Sequence, residues 1–176
     1  SVPFADIADI LGCSVDAARQ HAARARRAVA RADPPRRASL AEQRDVLERF
    51  LAALAEGDID AIVDVLHPDV TVLGDGGGKA RTTLRVVRGR DKVTRFLLGL
   101  IGQYGAAATS AGRIVLVNGD LALALPDSPG DARHRPLTRR VTTFAIRAGR
   151  IIALYDIANP DKLTRAGLDH RDHQKR

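Results

Sequence analysis

The pattern of apolar and polar positions divides the chain into an all-helical opening and a longer mixed region. Between Pro3 and Leu11, the residues Phe4, Ile7, Ala8, Ile10 and Leu11 recur at helical spacing, and Gly12 breaks the run. Ser14 is placed to cap a second helix, with Asp16 in its first turn, where negative charge is favoured. That helix has a narrow apolar stripe of Val15, Ala18, Ala22, Ala25 and Val29, and its other faces carry Arg19, Gln20, His21, Arg24, Arg26 and Arg27. Two short helices joined by a tight Gly-containing turn form the helix-turn-helix pattern, whose second helix enters the major groove. The same pattern also describes an amphipathic helical hairpin with no DNA role. Pro34-Pro35 then stops any helix, and residues 31–39 read as a linker after a first module over 1–30.

Beyond the linker, Val46, Leu47, Phe50, Leu51 and Leu54 predict a helix over 40–56, ended by Gly57-Asp58. A second helix follows through Ile59, Ile62, Val63, Val65 and Leu66, stopped by His67-Pro68-Asp69. Val70 to Leu73 reads as a strand, Asp75 to Lys79 as a glycine-rich turn, Thr82 to Val87 as its return strand, and 89–103 as a third helix. The remainder alternates as strands. Asn118-Gly119 and Ala148-Gly149 mark two hairpins, 113–117 with 121–125 and 139–146 with 151–157, and 127–136 is a polar loop. Helices followed by antiparallel strands give an α+β class. The domain covers 40–158, and 159–176 reads as a tail.

Charge sharpens this division. Of the 28 Lys and Arg, seven are Arg lying between Ala17 and Ala38, against the single acid Asp33, which concentrates the basic character of a +7 chain in the first module. A stripe of this kind suits a polyanion. Arg suits guanine and Gln suits adenine, so Arg19, Gln20 and His21 are candidate base contacts, and Arg24, Arg26 and Arg27 candidate phosphate contacts. One cysteine, Cys13, rules out an internal disulfide framework and fits a reducing compartment, and no apolar run is long enough to span a membrane. Tryptophan and methionine are absent, so the core must be built from Val, Leu, Ile and Ala.

The run Phe4-Ala5-Asp6-Ile7-Ala8-Asp9-Ile10-Leu11-Gly12, with Arg19-Gln20 and Arg24-Ala25-Arg26 after it, resembles the end of region 4 of the extracytoplasmic-function class of sigma-70-family factors. In that class this helix reads the promoter −35 element. Residues 40–158, with their Gly57-Asp58 and His67-Pro68-Asp69-Val70 phrases, resemble the SnoaL-like branch of the nuclear-transport-factor-like cone. That resemblance implies three helices wrapped by a curved, mainly antiparallel sheet. Asp75-Gly76-Gly77-Gly78-Lys79 and Asn159-Pro160-Asp161-Lys162-Leu163 look like the paired signatures of SigJ-type factors, which carry a SnoaL-like extension instead of a separate anti-sigma protein. The resemblance implies a C-terminal fragment of a cytoplasmic transcription factor, with core RNA polymerase and −35 promoter DNA as partners. It also implies a contact between cone and sigma module in the same chain, through those two signatures, and no cofactor, metal or membrane partner.

Two other readings remain open. Cone-fold enzymes use an Asp or His in an apolar cavity as general base, for which Asp75, Asp120, Asp156, His67 and Tyr155 are the candidates. Asp156, beside Tyr155 on the last strand, is the one expected inside the cone. A ligand sensor without chemistry would use the same cavity. His134, His170 and His173 lie in polar segments and read as solvated, and Cys13 has no redox role.

Overall fold

The computed structural model describes residues 2–31 and 37–164. The chain divides into two compact units between residues 36 and 37.

The first unit is a pair of helices, α1 (Phe4–Leu11) and α2 (Val15–Arg31). Gly12 ends α1 in the left-handed conformation (φ +63°), with its own N–H bonded to Asp9 O and that of Cys13 to Ala8 O. Ser14 Oγ then accepts from Ala17 N at 3.1 Å and starts α2. Ala8 and Ala18 are the buried residues of this unit, small enough for close helix contact. The expected stripe is buried only at its start, since Ala25 and Val29 are exposed.

The second unit opens with α3 (Leu40–Glu56) and α4 (Ile59–Val65). Ser39 caps α3 by accepting from Glu42 N, and Asp58 caps α4 by accepting from Ala61 N. Strand β1 (Leu66–Asp75) and the two-residue β2 (Val87–Arg88) precede α5 (Arg90–Tyr104) and the short α6 (Ala106–Ser110). Strands β3 (Arg113–Val117), β4 (Asp120–Leu125), β5 (Arg140–Arg147) and β6 (Arg150–Ile157) follow, and α7 (Pro160–Leu163) closes the described chain.

The six strands form one sheet in the order β2-β1-β6-β5-β4-β3, antiparallel except where β1 runs parallel to β6. Register shifts between Leu66 and Thr71 and between Ala145 and Ile146 bend it, as bulges do. Val46, Leu47, Phe50, Ile62, Val65, Val70, Val93 and Ile151 form the fully buried core between helices and sheet, and Phe50 meets Phe144 edge to face at 5.9 Å. Gln43, 4% exposed, ties α3 to the β3–β4 hairpin: its Nε2 donates to Asp120 Oδ1 and Ala38 O, and its Oε1 accepts from Leu121 N.

Three expectations need correction. The return strand expected over 82–87 is only β2, paired with Thr71 and Val72. Thr82 instead hydrogen-bonds to Asp156, and Leu84 to Val86 are exposed, so tertiary contacts override the alternating pattern. The strand expected from Val70 begins at Leu66. Residues 159–163, expected to start a tail, form α7, whose Leu163 is 5% exposed and packs with Ala122 and Val141.

Candidate functional site

In the first unit, all six basic and polar candidates of α2, Arg19, Gln20, His21, Arg24, Arg26 and Arg27, are exposed. Residues advance about 100° each around a helix, so Arg19, Gln20 and His21 fan out over about 200°. Gln20, Arg24 and Arg27 fall on the side opposite the buried Ala18, Arg19 and Arg26 on one flank, and His21 on the other. Arg19 is partly engaged by Asp16 at 3.2 Å, and Arg24 donates to His21 Nδ1 at 3.2 Å.

In the second unit, the two five-residue signatures meet. Strands β1 and β6 run parallel with Asp75 opposite Ile157, so their C-terminal ends emerge side by side, and Ala158 N donates to Asp75 O. The segments that follow exchange charges reciprocally. Lys79 Nζ donates to Asp161 Oδ1 and Oδ2 at 2.9 and 2.7 Å, and Lys162 Nζ pairs with Asp75 Oδ2 at 2.6 Å. Asp75 Oδ1 accepts from Gly77 N and from Asn159 Nδ2, and Asn159 Oδ1 caps α7 by accepting from Asp161 N. Pro160 takes the first turn of α7, where a missing N–H costs nothing.

Glycine is required in this clasp for steric reasons. A Cβ on Gly76 would strike Ala80 O, and one on Gly77 would lie 2.5 Å from the Asn159 amide. The Lys162 ammonium, followed by the Gly77 N–H and Asn159, holds the Asp75 carboxyl below the usual carboxylate range, against the opposing effect of burial.

The Gly74–Gly78 stretch also walls a cavity of about 1130 Å³. Its apolar lining includes Phe50, Leu54, Phe96, Leu100, Tyr104 and Phe144 from α3, α5 and β5. Asp156 lies at one wall. Its Oδ2 accepts from Thr82 Oγ1 at 2.8 Å and Arg140 Nη1 at 3.1 Å, and its Oδ1 from Thr142 Oγ1 at 3.3 Å. Register explains the group: Asp156 sits opposite Thr142 on β5 and opposite Gly74 on β1, and a Cβ on Gly74 would collide with Thr82 Oγ1. Arg140 is 7% exposed and also donates to Thr138 O and Arg81 O. Both carboxylate oxygens are thus committed to donors, which removes Asp156 from use as an available base.

The other catalytic candidates stand apart. Asp75, expected at a remote turn, lines the same cavity as Asp156, but Lys162 engages it. Asp120 pairs with Arg37 at 2.7 Å and with Gln43; both hydrogen bonds, Arg37's first, lower its carboxyl. His67 Nδ1 accepts from Asp69 N, and Tyr155 is 42% exposed on the outer face of β6. His134 hydrogen-bonds to Asp131, which with the Arg133 and His134 N–H groups pulls that carboxyl down to about 2. Cys13 is half-buried in the α1–α2 turn, and His170 and His173 lie outside the described residues. No group of three or more His, Cys, Asp or Glu able to hold a metal occurs among the described residues, and no described helix is long and apolar enough to cross a membrane.

Sequence reasoning missed Arg140, Thr82 and Thr142. Their only signal was alternation on β5, which places Arg140 and Thr142 on one face; the crossing of Thr82 over Gly74 leaves none.

Comparison with known proteins points one way. A family model of the SnoaL-like domain matches residues 47–154. The ECF RNA polymerase sigma factor SigJ of Mycobacterium tuberculosis is 46% identical over 99% of the chain, which spans 56% of that protein. The crystal structure of the same SigJ is similar at a TM-score of 0.70 and 48% identity, over 93% of this chain and 56% of that one. An NTF2-like protein of Burkholderia xenovorans, 16% identical over 73% of this chain and 97% of its own, shares the fold at a TM-score of 0.53. These matches return the two resemblances read from the sequence and the α+β cone.

Proposed function

We propose that this chain, which belongs to the SnoaL-like domain family through residues 47–154, is the C-terminal part of an extracytoplasmic-function sigma factor acting in the cytoplasm. Its α2 helix contacts the −35 promoter element, and its SnoaL-like unit controls sigma activity from within the same chain. The match to SigJ across both units supports the sigma assignment. The partners in this reading are core RNA polymerase and promoter DNA.

One observation carries the regulatory part: the reciprocal clasp of Lys79 with Asp161 and of Lys162 with Asp75. Exposed ion pairs contribute little stability, about 0–1 kcal/mol, so two such pairs on a glycine loop built to fit Asn159 are poorly explained as fold reinforcement. They make a contact that opens at low cost. A two-state element of this kind shifts tenfold for about 1.4 kcal/mol. The charged ends are already spent on each other, so contact with a sigma module requires the clasp to open or to present its composite surface. The enzyme reading loses its base, because Arg140, Thr82 and Thr142 occupy Asp156.

The test is transcription by the full-length factor with core polymerase. Lys79→Ala, Asp75→Ala and truncation before Asn159 should each change promoter output at least threefold, with DNA-independent polymerase binding retained. Unchanged output in all three, with isomerase-type turnover by the wild type, would favour an enzyme instead.

A further inference from the structure

The cavity walled by the clasp loop is large for a void left by packing. Protein interiors tolerate few gaps bigger than a water molecule, and small-molecule sites occupy about 300–1,000 Å³. At about 1130 Å³ it has the size of a binding site. We propose that it binds an uncharged, mainly apolar small molecule carrying one hydroxyl or carbonyl group, held at the wall formed by Thr82, Thr83 and Thr142.

Three features define that chemistry. Leu54, Phe96, Leu100, Tyr104 and Phe144 supply apolar surface along most of the wall. The charged residues lining it are Asp75, Arg81, Arg140 and Asp156. Asp156 is neutralised by Arg140 and Asp75 by Lys162, and Arg81 is exposed, so the interior offers an ionised ligand no unspent counter-charge. Burying such a ligand would cost its hydration without compensation. Polar capacity remains at one place: Thr83 Oγ1 is buried without a hydrogen-bond partner, next to the hydroxyls of Thr82 and Thr142 that serve Asp156. An unpaired buried hydroxyl is destabilising until something bonds to it. At the mouth, Leu84 is 99% exposed, an apolar side chain that an occupant would cover. With both oxygens of Asp156 committed, the site binds without reacting. The inference deepens the regulatory reading and rests on it for its consequence alone, a ligand sensed through the loop that the clasp holds.

The experiment uses the 176-residue chain without polymerase or DNA. N-phenyl-1-naphthylamine, an uncharged fluorophore, is titrated in and then displaced with decan-1-ol, decanoate or decylammonium. The expected result is saturable uptake at one site per chain, with decan-1-ol displacing at a concentration at least tenfold lower than either charged chain. Leu100→Trp, which puts bulk into the cavity, should weaken uptake at least tenfold; Ala55→Trp fills the same space from α3 should the first variant melt early. Thr83→Val should weaken decan-1-ol at least threefold while leaving the fluorophore unchanged. Absent or non-saturable uptake by the wild type, uptake indifferent to both filling variants, or charged chains competing as well as the alcohol would overturn the assignment. None of these outcomes bears on transcription, so failure here and failure of the sigma reading are separate results.

Discussion

Gly77 and Asn159 fit so closely that a Cβ on residue 77 would lie 2.5 Å from the Asn159 amide carbon, at a backbone φ of +58°. Two penalties therefore meet at one position. Gly78 has φ +71° with nothing within 4 Å, and carries the backbone penalty alone. Gly78→Ala should cost about 1 kcal/mol, the cost of a left-handed residue with a side chain. Gly77→Ala should cost at least about 2 kcal/mol, since the clash adds to that term. Urea unfolding of both variants checks the order, and Asn159→Ala should relieve part of the Gly77→Ala loss. Equal losses in the two glycine variants would mean that the loop does not seat on Asn159.

The clasp also makes a pH prediction. The folded Asp75 carboxyl is held below its ordinary value, chiefly by Lys162. A carboxyl lowered on folding stabilises the protein above its unfolded value of about 4. That contribution disappears as pH falls through the lower folded value. Asp120, lowered by Arg37 and Gln43, and Asp131, at about 2, act in the same direction and set the background. Lys162→Met should therefore lose less stability than the wild type between pH 5 and the acid limit of folding. Unfolding free energies across that range measure it, and parallel profiles would remove the Lys162–Asp75 contact from the account.

How far the sequence foretold this arrangement depends on the range of the interactions. Ser39, Gly57, Asp58 and Gly12 act within one helical turn, and the ends of α1, α3 and α4 were legible from them. Asn118-Gly119 and Ala148-Gly149 likewise marked both hairpins, with φ +52° at Asn118 and +49° at Ala148. The meeting of Asp75–Lys79 with Asn159–Leu163 was not legible, because it follows from β1 lying parallel beside β6, a pairing across more than eighty positions. The fate of Thr82 was hidden for the same reason. Its alternating surroundings read as a strand, and only the juxtaposition of Gly74 with Asp156 shows why it leaves the sheet.

Arg140 and Asp156, at 7% and 15% side-chain exposure, form the buried ion pair of the cavity wall. Removing one member leaves the other charge uncompensated, a change that costs about 3–5 kcal/mol in such settings. Arg140→Met should fall in that range, because Thr138 O and Arg81 O also lose their donor. Replacing both charges, as in Arg140→Met with Asp156→Leu, should recover at least half of the loss. Thermal and urea unfolding of the two variants decide the matter. A mild effect of Arg140→Met would mean that water reaches the pair and that the wall is not dry.

The last prediction concerns α2 in the full-length factor bound to core polymerase. Gln20, Arg24 and Arg27 project opposite Ala18, the side chain buried against α1, so this side is the one positioned to enter a groove. Gln20→Ala should relax the preference for particular −35 bases, by about 1–3 kcal/mol for a lost bidentate contact. Arg19 and Arg26 stand on the flank, where a phosphate is the nearer target. Arg26→Ala should weaken all promoters alike and flatten the dependence of log affinity on log salt by about 0.9 per lost phosphate contact. Asp16 supplies an internal control. It holds Arg19 at 3.2 Å and places a negative charge near the DNA, so Asp16→Asn should raise affinity for every sequence without changing selectivity. Promoter-binding titrations at several salt concentrations separate these effects. Selectivity that survives Gln20→Ala, Arg24→Ala and Arg27→Ala together would show that α2 does not read the −35 element.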